Sequence, residues 1–261
     1  MRLYHIHLIR VLCRAALALI FLLCASSIAQ PCFAQDANRG EWVVAGYLGG
    51  AHTASSSLRI SQPALGTNIE FDGVRYDGQS FDPPLYYGYR VGYFVPRISW
   101  LGVEAEFIHL KVFSDPQQRV QATGTHRGAF INRELPLGQI VQQYSVSHGV
   151  NLLLFNFVGR HRVDRGREHP RGRFILAGRF GIGPTFPHTE SSIDGQSQQQ
   201  YEVGRVGWQA AGGAEVHLWR GLYVLGEYKF TRTQQRGKIF AGKAQSLLRS
   251  HHGVFGFSYH F

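Results

Sequence analysis

The end of the chain constrains its fold most. Phe261, Tyr259, Phe257 and Phe255 alternate with His260, Ser258, Gly256 and Val254. Side chains that alternate with a period of two belong to an extended strand, whose successive residues point to opposite faces. Here one face is aromatic and the other small or polar, and the strand closes the chain on an aromatic residue. A wall between lipid and a crowded polar interior asks for that division. An alternating pattern with polar links also describes a soluble sandwich, so the other end of the chain matters.

Arg2, Arg10 and Arg14 precede an apolar run from Ala15 to Leu23, which small residues Ala25, Ser26 and Ser27 follow. This is the pattern of a secretory signal peptide. Cleavage is expected after Ala29 or Ala34, making residues 1–34 the signal and 35–261 one mature domain. Cys13, Cys24 and Cys32 all lie in or beside the signal, so a disulfide framework and a thiolate zinc site are excluded from the mature chain. Past the signal no apolar stretch approaches the roughly 18 residues of a spanning helix. A membrane protein of this kind must then cross as a closed barrel, which alone satisfies strand backbone groups in lipid.

The expected fold is all-β, an eight-stranded antiparallel transmembrane barrel with long outer loops and mostly short turns at the other end. Strand one runs from Glu41 to His52. Strand two, Leu85 to Val95, sets Tyr87, Tyr89, Val91 and Tyr93 outward. Strand three, Trp100 to Lys111, sets Leu101, Val103, Ala105 and Phe107 outward. Strand four is expected at Ser145 to Gly159 with Val150, Leu152 and Leu154 outward, though the apolar run Leu152 to Phe155 leaves its parity open. Strands five to seven follow around Phe174 to Ile182, Arg205 to Val216 and Leu222 to Phe230, and the terminal segment is the eighth. Residues Arg160 to Arg171 read as a solvated basic turn, and Gln196 to Gln200 as a mobile outer loop.

The chain resembles the OmpA/OmpX-type small outer-membrane barrels. The likeness rests on Trp42 to Gly50, Gly102 to Phe107, Gly226 to Phe230 and the Gly256 to Phe261 ending, and covers the whole mature chain. It implies the outer membrane of a Gram-negative bacterium, a monomer, and a sorting signal at Phe257, Tyr259 and Phe261 read by the barrel-assembly machinery. Lysines and arginines exceed acids by 27 − 17 = 10, of which the signal carries three arginines. For an exported chain the anionic neighbour is lipopolysaccharide and its membrane, not nucleic acid. Such barrels serve as anchors, adhesins, channels or lipid-modifying enzymes, and the fold does not choose among them.

Two groups of residues bear on that choice. Arg90, Glu104, Glu106, Arg179, Arg205, Glu215, Glu227 and Lys229 are expected to face inward. An eight-stranded interior is just wide enough for its own side chains, so these form a salt-bridged plug. At the outer rim, His109, Lys111, Ser147, His148, Asn151, His251 and His252 form a candidate cluster. Cations there can pair with lipid A phosphates, neutral imidazoles can hold a metal, and a Ser beside a His can supply a nucleophile and its base; rim histidines also sit at headgroup height without any chemistry. No cofactor and no bound metal are expected. The favoured function is a non-enzymatic one in envelope integrity or surface interaction. The rival is a lipid A-modifying enzyme of oxidase or acyl-chain-remodelling type; His251-His252-Gly253 stands where a His-x-Ser pair of the deacylase kind would be.

Overall fold

The computed structural model describes residues 40–261; the expected signal, both cleavage positions and the three cysteines lie outside them. β1 (Glu41–Thr53) leads into a first connection containing β2 (Ser56–Gln62), β3 (Thr67–Val74) and β4 (Tyr76–Asp77). β5 (Tyr87–Phe94) and β6 (Leu101–His109) are joined by a short turn. The second connection holds β7 (Val112–Ser114), β8 (Arg119–His126), β9 (Ala129–Pro136) and β10 (Val141–Val146). β11 (Leu152–Val163) and β12 (Phe174–Gly183) precede a third connection with β13 (His188–Ile193) and β14 (Gln196–Tyr201). β15 (Gly207–Trp219), β16 (Leu222–Ile239) and β17 (Gly242–His260) complete the chain.

Strands β1, β5, β6, β11, β12, β15, β16 and β17 pair in that order, and β17 pairs back onto β1, closing an eight-stranded barrel. The closing register runs from Val43 opposite His260 to Thr53 opposite Ser250. One further rung follows: the Phe261 amide donates to the Trp42 carbonyl at 2.9 Å. The outer wall is apolar and exposed, with Tyr89, Val91, Val103, Phe155, Phe157, Phe180, Ile182, Phe255 and Phe257 on it. Such a belt is stable only against lipid. Trp42 and Tyr93, with ring centroids 5.0 Å apart, and exposed Trp100 and Trp219 ring the turn end. Trp208 lies between Phe180 and Phe230 on the wall toward the loop end. No helix among the described residues is long and apolar enough to cross a membrane.

One strand departs from expectation. β11 begins at Leu152, Ser145 belongs to β10, and Val150, Leu152 and Leu154 are fully buried. The outward side chains of β11 include Phe155, Phe157, His161 and Val163. Apolar residues point outward where lipid covers the wall, but the loop end of this lumen is itself apolar, so there the same residues point in.

The three long connections are folded. β2 pairs with the distal part of β17, and β3, β8 and β9 follow, extending the barrel sheet to twelve strands. A separate five-stranded sheet runs β14-β13-β10-β7-β4. Together they enclose a core: Leu58, Ile60, Ile69, Phe71, Val120 and Leu135 from the first sheet, with Val112, Val141, Tyr144, Val146 and Ile193 from the second. The cluster continues through Ile239, Ala244 and Leu248 into Ile108, Val150 and Leu152 at the barrel mouth. β16 and β17, with 18 and 19 residues, exceed the roughly 9–11 residues that cross a bilayer and form the spine of this head. Asp194 and Gly195 both take positive φ, 50° and 78°, the two-residue turn that matches strand twist. The segment Gln196 to Gln200, expected to be mobile, is therefore paired strand.

Phe71 is completely buried in the head. Replacing it with Ala should destabilise the head by about 3–5 kcal/mol. In limited trypsin digestion of the membrane-embedded protein, Phe71→Ala should open cleavage at Arg119, Arg127 and Arg133 that the parent resists, while the barrel remains intact on an unboiled gel.

Candidate functional site

The lumen gathers most of the buried charge. Lys229 Nζ bridges Glu106 at 2.6 Å and Glu227 at 2.5 Å. Arg90 Nη1 donates to Glu227 at 3.0 Å and lies 3.6 Å from Glu106. Arg179 donates to Glu104 at 2.8 Å and also pairs with Glu227. Tyr47 Oη and Asn156 Nδ2 donate to Glu106 at 2.7 and 2.9 Å, and Gln209 Nε2 does so too. A carboxylate wholly out of water stays charged only when so fully met. Gly88 makes room for this: a Cβ there would strike the Tyr47 ring.

The network continues toward the turn end from Glu215, an expected lumen residue, through Ser258, His260, Glu41, Arg160 and Arg162, which sequence reasoning missed. Glu215 accepts from Ser258 Oγ at 2.7 Å and lies 2.8 Å from His260 Nε2, whose Nδ1 is 2.6 Å from Glu41. Glu41 in turn pairs with Arg160 at 2.6 Å and with Arg162. These two arginines, expected in a solvated turn, lie on β11 and close the lumen; the Arg160 guanidinium stacks 3.3 Å over the Phe94 ring. Strand parity was the available signal, since Glu41 and His260 occupy inward positions. Arg205 is a correction in the other direction. It is exposed and donates to Gln234 at 2.7 Å, because β15 begins only at Gly207 and the alternation does not extend back to it.

At the rim the structure brings some of the expected residues together and separates others. His109 Nδ1 lies 2.9 Å from Asn151 Oδ1, and its ring stacks on Tyr87 at 4.9 Å. Gly149, at φ 93°, leaves space that a Cβ would take from the His109 ring. Asn151 Nδ2 donates to the His148 and Phe186 carbonyls, both at 3.1 Å. His148 Nδ1 faces His188 Nδ1 at 2.8 Å and lies 3.0 Å from Ser147 Oγ. Ser147 Oγ donates to Glu190 Oε1 at 2.5 Å. Glu190 Oε1 is 3.4 Å from His148 Nδ1 and 3.5 Å from His188 Nδ1.

The sheet explains this meeting. His188 and Glu190 are two residues apart on β13 and share a face, and Glu190 stands opposite Ser145 on β10, just before the turn that carries Ser147 and His148. Tyr201 stacks on His188 at 4.1 Å. Burial and the neighbouring His148 hold the His188 imidazole below its usual range, against the pull of Glu190. Lys111, His251 and His252 lie apart from this group. Lys111 Nζ donates to the Asp82 carbonyl at 2.8 Å, His251 lies on the outer wall 2.6 Å from Tyr228 Oη, and His252 is in the lumen 2.8 Å from Thr231 Oγ1.

A family model described as the outer membrane protein beta-barrel domain matches residues 16–261. The chain belongs to the outer-membrane β-barrel family. No curated protein matches its sequence. Among solved structures it is similar to OprG of Pseudomonas aeruginosa, at 12% identity over 86% of this chain and 97% of that one, TM-score 0.46. It is likewise similar to Ail of Yersinia pestis (12%, 85% and 98%, TM-score 0.35) and to Neisserial surface protein A (9%, 85% and 98%, TM-score 0.35). At such identities the likeness is one of fold.

In this outer-membrane barrel the rim geometry does not form a nucleophilic relay. A Ser–His–acid relay uses opposite ring nitrogens, one toward the hydroxyl and one toward the acid. Here Ser147 and Glu190 both face Nδ1 of His148, and the serine gives its proton directly to the carboxylate.

Lys229→Ala would leave Glu106 and Glu227 short of a cation they share, and removing one partner of a buried pair costs about 3–5 kcal/mol. The urea midpoint for loss of the heat-modifiable folded band should fall accordingly. Adding Glu106→Gln should recover part of the loss, since the unpaired charge is then gone.

Proposed function

We propose that this chain is a non-enzymatic outer-membrane protein of a Gram-negative cell, in which a plugged barrel anchors a folded β head at the cell surface. Its role there is envelope integrity or surface interaction. The observation that carries this reading is the filled lumen: a charge-balanced polar plug, then apolar Ile108, Val150 and Leu152 at its loop end, continuous with the core of the head. Solute has no route through such a barrel, and a substrate has no route to Glu104 or Glu106.

The outer face of the β16–β17 hairpin supports contact with lipopolysaccharide. Arg232 stands opposite Arg249 and Lys238 opposite Lys243, with Arg236 between them. Like charges directly opposite each other repel, and phosphate bound over them removes that repulsion while accepting charged hydrogen bonds. Arg232 lies two residues beyond Phe230 of the outer wall, the height at which lipid A phosphates meet the protein. Export with signal cleavage, assembly through Phe257, Tyr259 and Phe261, and a monomeric state belong to the same reading.

Planar bilayers holding the folded protein should show no stable conductance. Lipid A from matched cells with and without the protein should give identical mass spectra. Arg232→Gln with Arg249→Gln should reduce the lipopolysaccharide that co-purifies. A large stable conductance would overturn the plugged barrel. A defined lipid A mass change, lost on His148→Ala, would establish the enzyme instead.

A further inference from the structure

We propose that His148, His188 and Glu190 form a binding site for a divalent transition-metal ion of the zinc type at the rim of the barrel. Three ligand atoms converge there: the two Nδ1 atoms and Glu190 Oε1, at mutual separations of 2.8, 3.4 and 3.5 Å. Around a tetrahedral ion with bonds of about 2.0–2.1 Å, ligand atoms stand about 3.3–3.4 Å apart. An ion at the centre needs shifts of only a few tenths of an ångström from this triangle.

The donor set fits the same ion class. Two imidazole nitrogens with one carboxylate oxygen suit zinc and its late first-row neighbours, whereas calcium and magnesium favour all-oxygen shells. Without an ion the three groups are held only by hydrogen bonds to one another and to Ser147. Two Nδ1 atoms face each other and only one can carry the shared hydrogen, while Ser147 Oγ already gives its proton to Glu190. A cation accepts lone pairs from all three groups at once.

Surrounding groups aim the ligands, as outer partners do in metal sites. Gln143 Nε2 donates to Glu190 Oε2 at 3.2 Å, leaving Oε1 toward the histidines. Tyr201 fixes the His188 ring by stacking, and Asn151 holds the His148 carbonyl. The β10–β13 ladder sets Glu190 in place before any ion arrives. His148 is half exposed, so the fourth coordination position opens to solvent beside Ser147 Oγ. The ligands come from the second and third connections, and an ion here ties the two together.

The test is titration calorimetry of zinc chloride into tag-free, chelator-treated protein folded in detergent. A single equivalent should bind. His188→Ala and Glu190→Gln should each weaken binding by more than about 100-fold, and Gln143→Ala by about tenfold. His251→Ala, on the outer wall, should bind as the parent does. X-ray absorption at the zinc edge should show imidazole scattering that diminishes in His148→Ala. Folding of each variant is read from its unboiled gel band, and Glu190→Gln preserves side-chain shape if a histidine variant does not fold. Absence of zinc binding by the folded parent would overturn the proposal, as would unchanged binding by Glu190→Gln and a folded histidine variant.

Discussion

A carboxylate inside a closed sheet stays charged only while cations and donors from the facing wall reach it, and for Glu106 these come from all round the barrel. Tyr47 reaches it from β1, Arg90 from β5, Asn156 from β11, Gln209 from β15 and Lys229 from β16. No adjacent pair of strands supplies that set, so the charge is met only when the wall is closed. Closure and neutralisation therefore depend on each other. The rung from Phe261 to Trp42 brings β1 beside β17, and Tyr47 on β1 then completes the shell around Glu106. The same dependence explains why the lumen is filled along its length: each acid borrows a cation that the next also needs, from Glu106 through Glu227, Arg90 and Arg179 to Glu215, His260 and Glu41.

The barrel strands were legible in the sequence because lipid imposes one rule on one face. Tyr87, Tyr89, Val91 and Tyr93 alternate with residues that the lumen keeps small or charged, and the alternation survives without knowledge of any partner strand. The rule fails where lipid ends. Val150, Leu152 and Leu154 obey the opposite parity because the surroundings at that height are apolar on the inside. Arg205 fails for a simpler reason, since its strand starts two residues later.

The head was not legible for a related cause. Leu58 and Ile60 alternate with Arg59 and Ser61, and Ile69 and Phe71 with Asn68 and Glu70, but such short polar-faced strands read as loop until β17 offers an edge for β2. Glu190 was invisible for the same reason. Its meeting with His148 is set by the β10–β13 register, which no local pattern announces, although the His188-Thr189-Glu190 spacing does put both ligands on one face of a strand.

The two sheets of the head are held to the barrel by different means. The first is bonded to it through β17, which runs unbroken from its pairing with β2 to the rungs that close the wall. A one-residue slip there would turn every side chain on β17 to the other face, taking His252 and Ser258 out of the lumen and Phe255 and Phe257 out of the lipid. That part of the head is locked by the same register as the barrel. The five-stranded sheet has no such ladder. It meets the barrel sheet through the shared apolar core and a few side-chain bonds, Asp194 with His126 and Arg127 and Gln235 Nε2 donating to Thr189 Oγ1. An isolated bridge between Leu152 and Thr185 ties its lead-in to β11. Apolar contact is non-directional and tolerates sliding, whereas ligand bonds fix distance and angle. The group of His148, His188 and Glu190 stands at the strand ends of this sheet nearest the barrel, where the second connection returns to β11 and the third leaves β12. A metal bound there supplies directional restraint at the point where the backbone ladder supplies least.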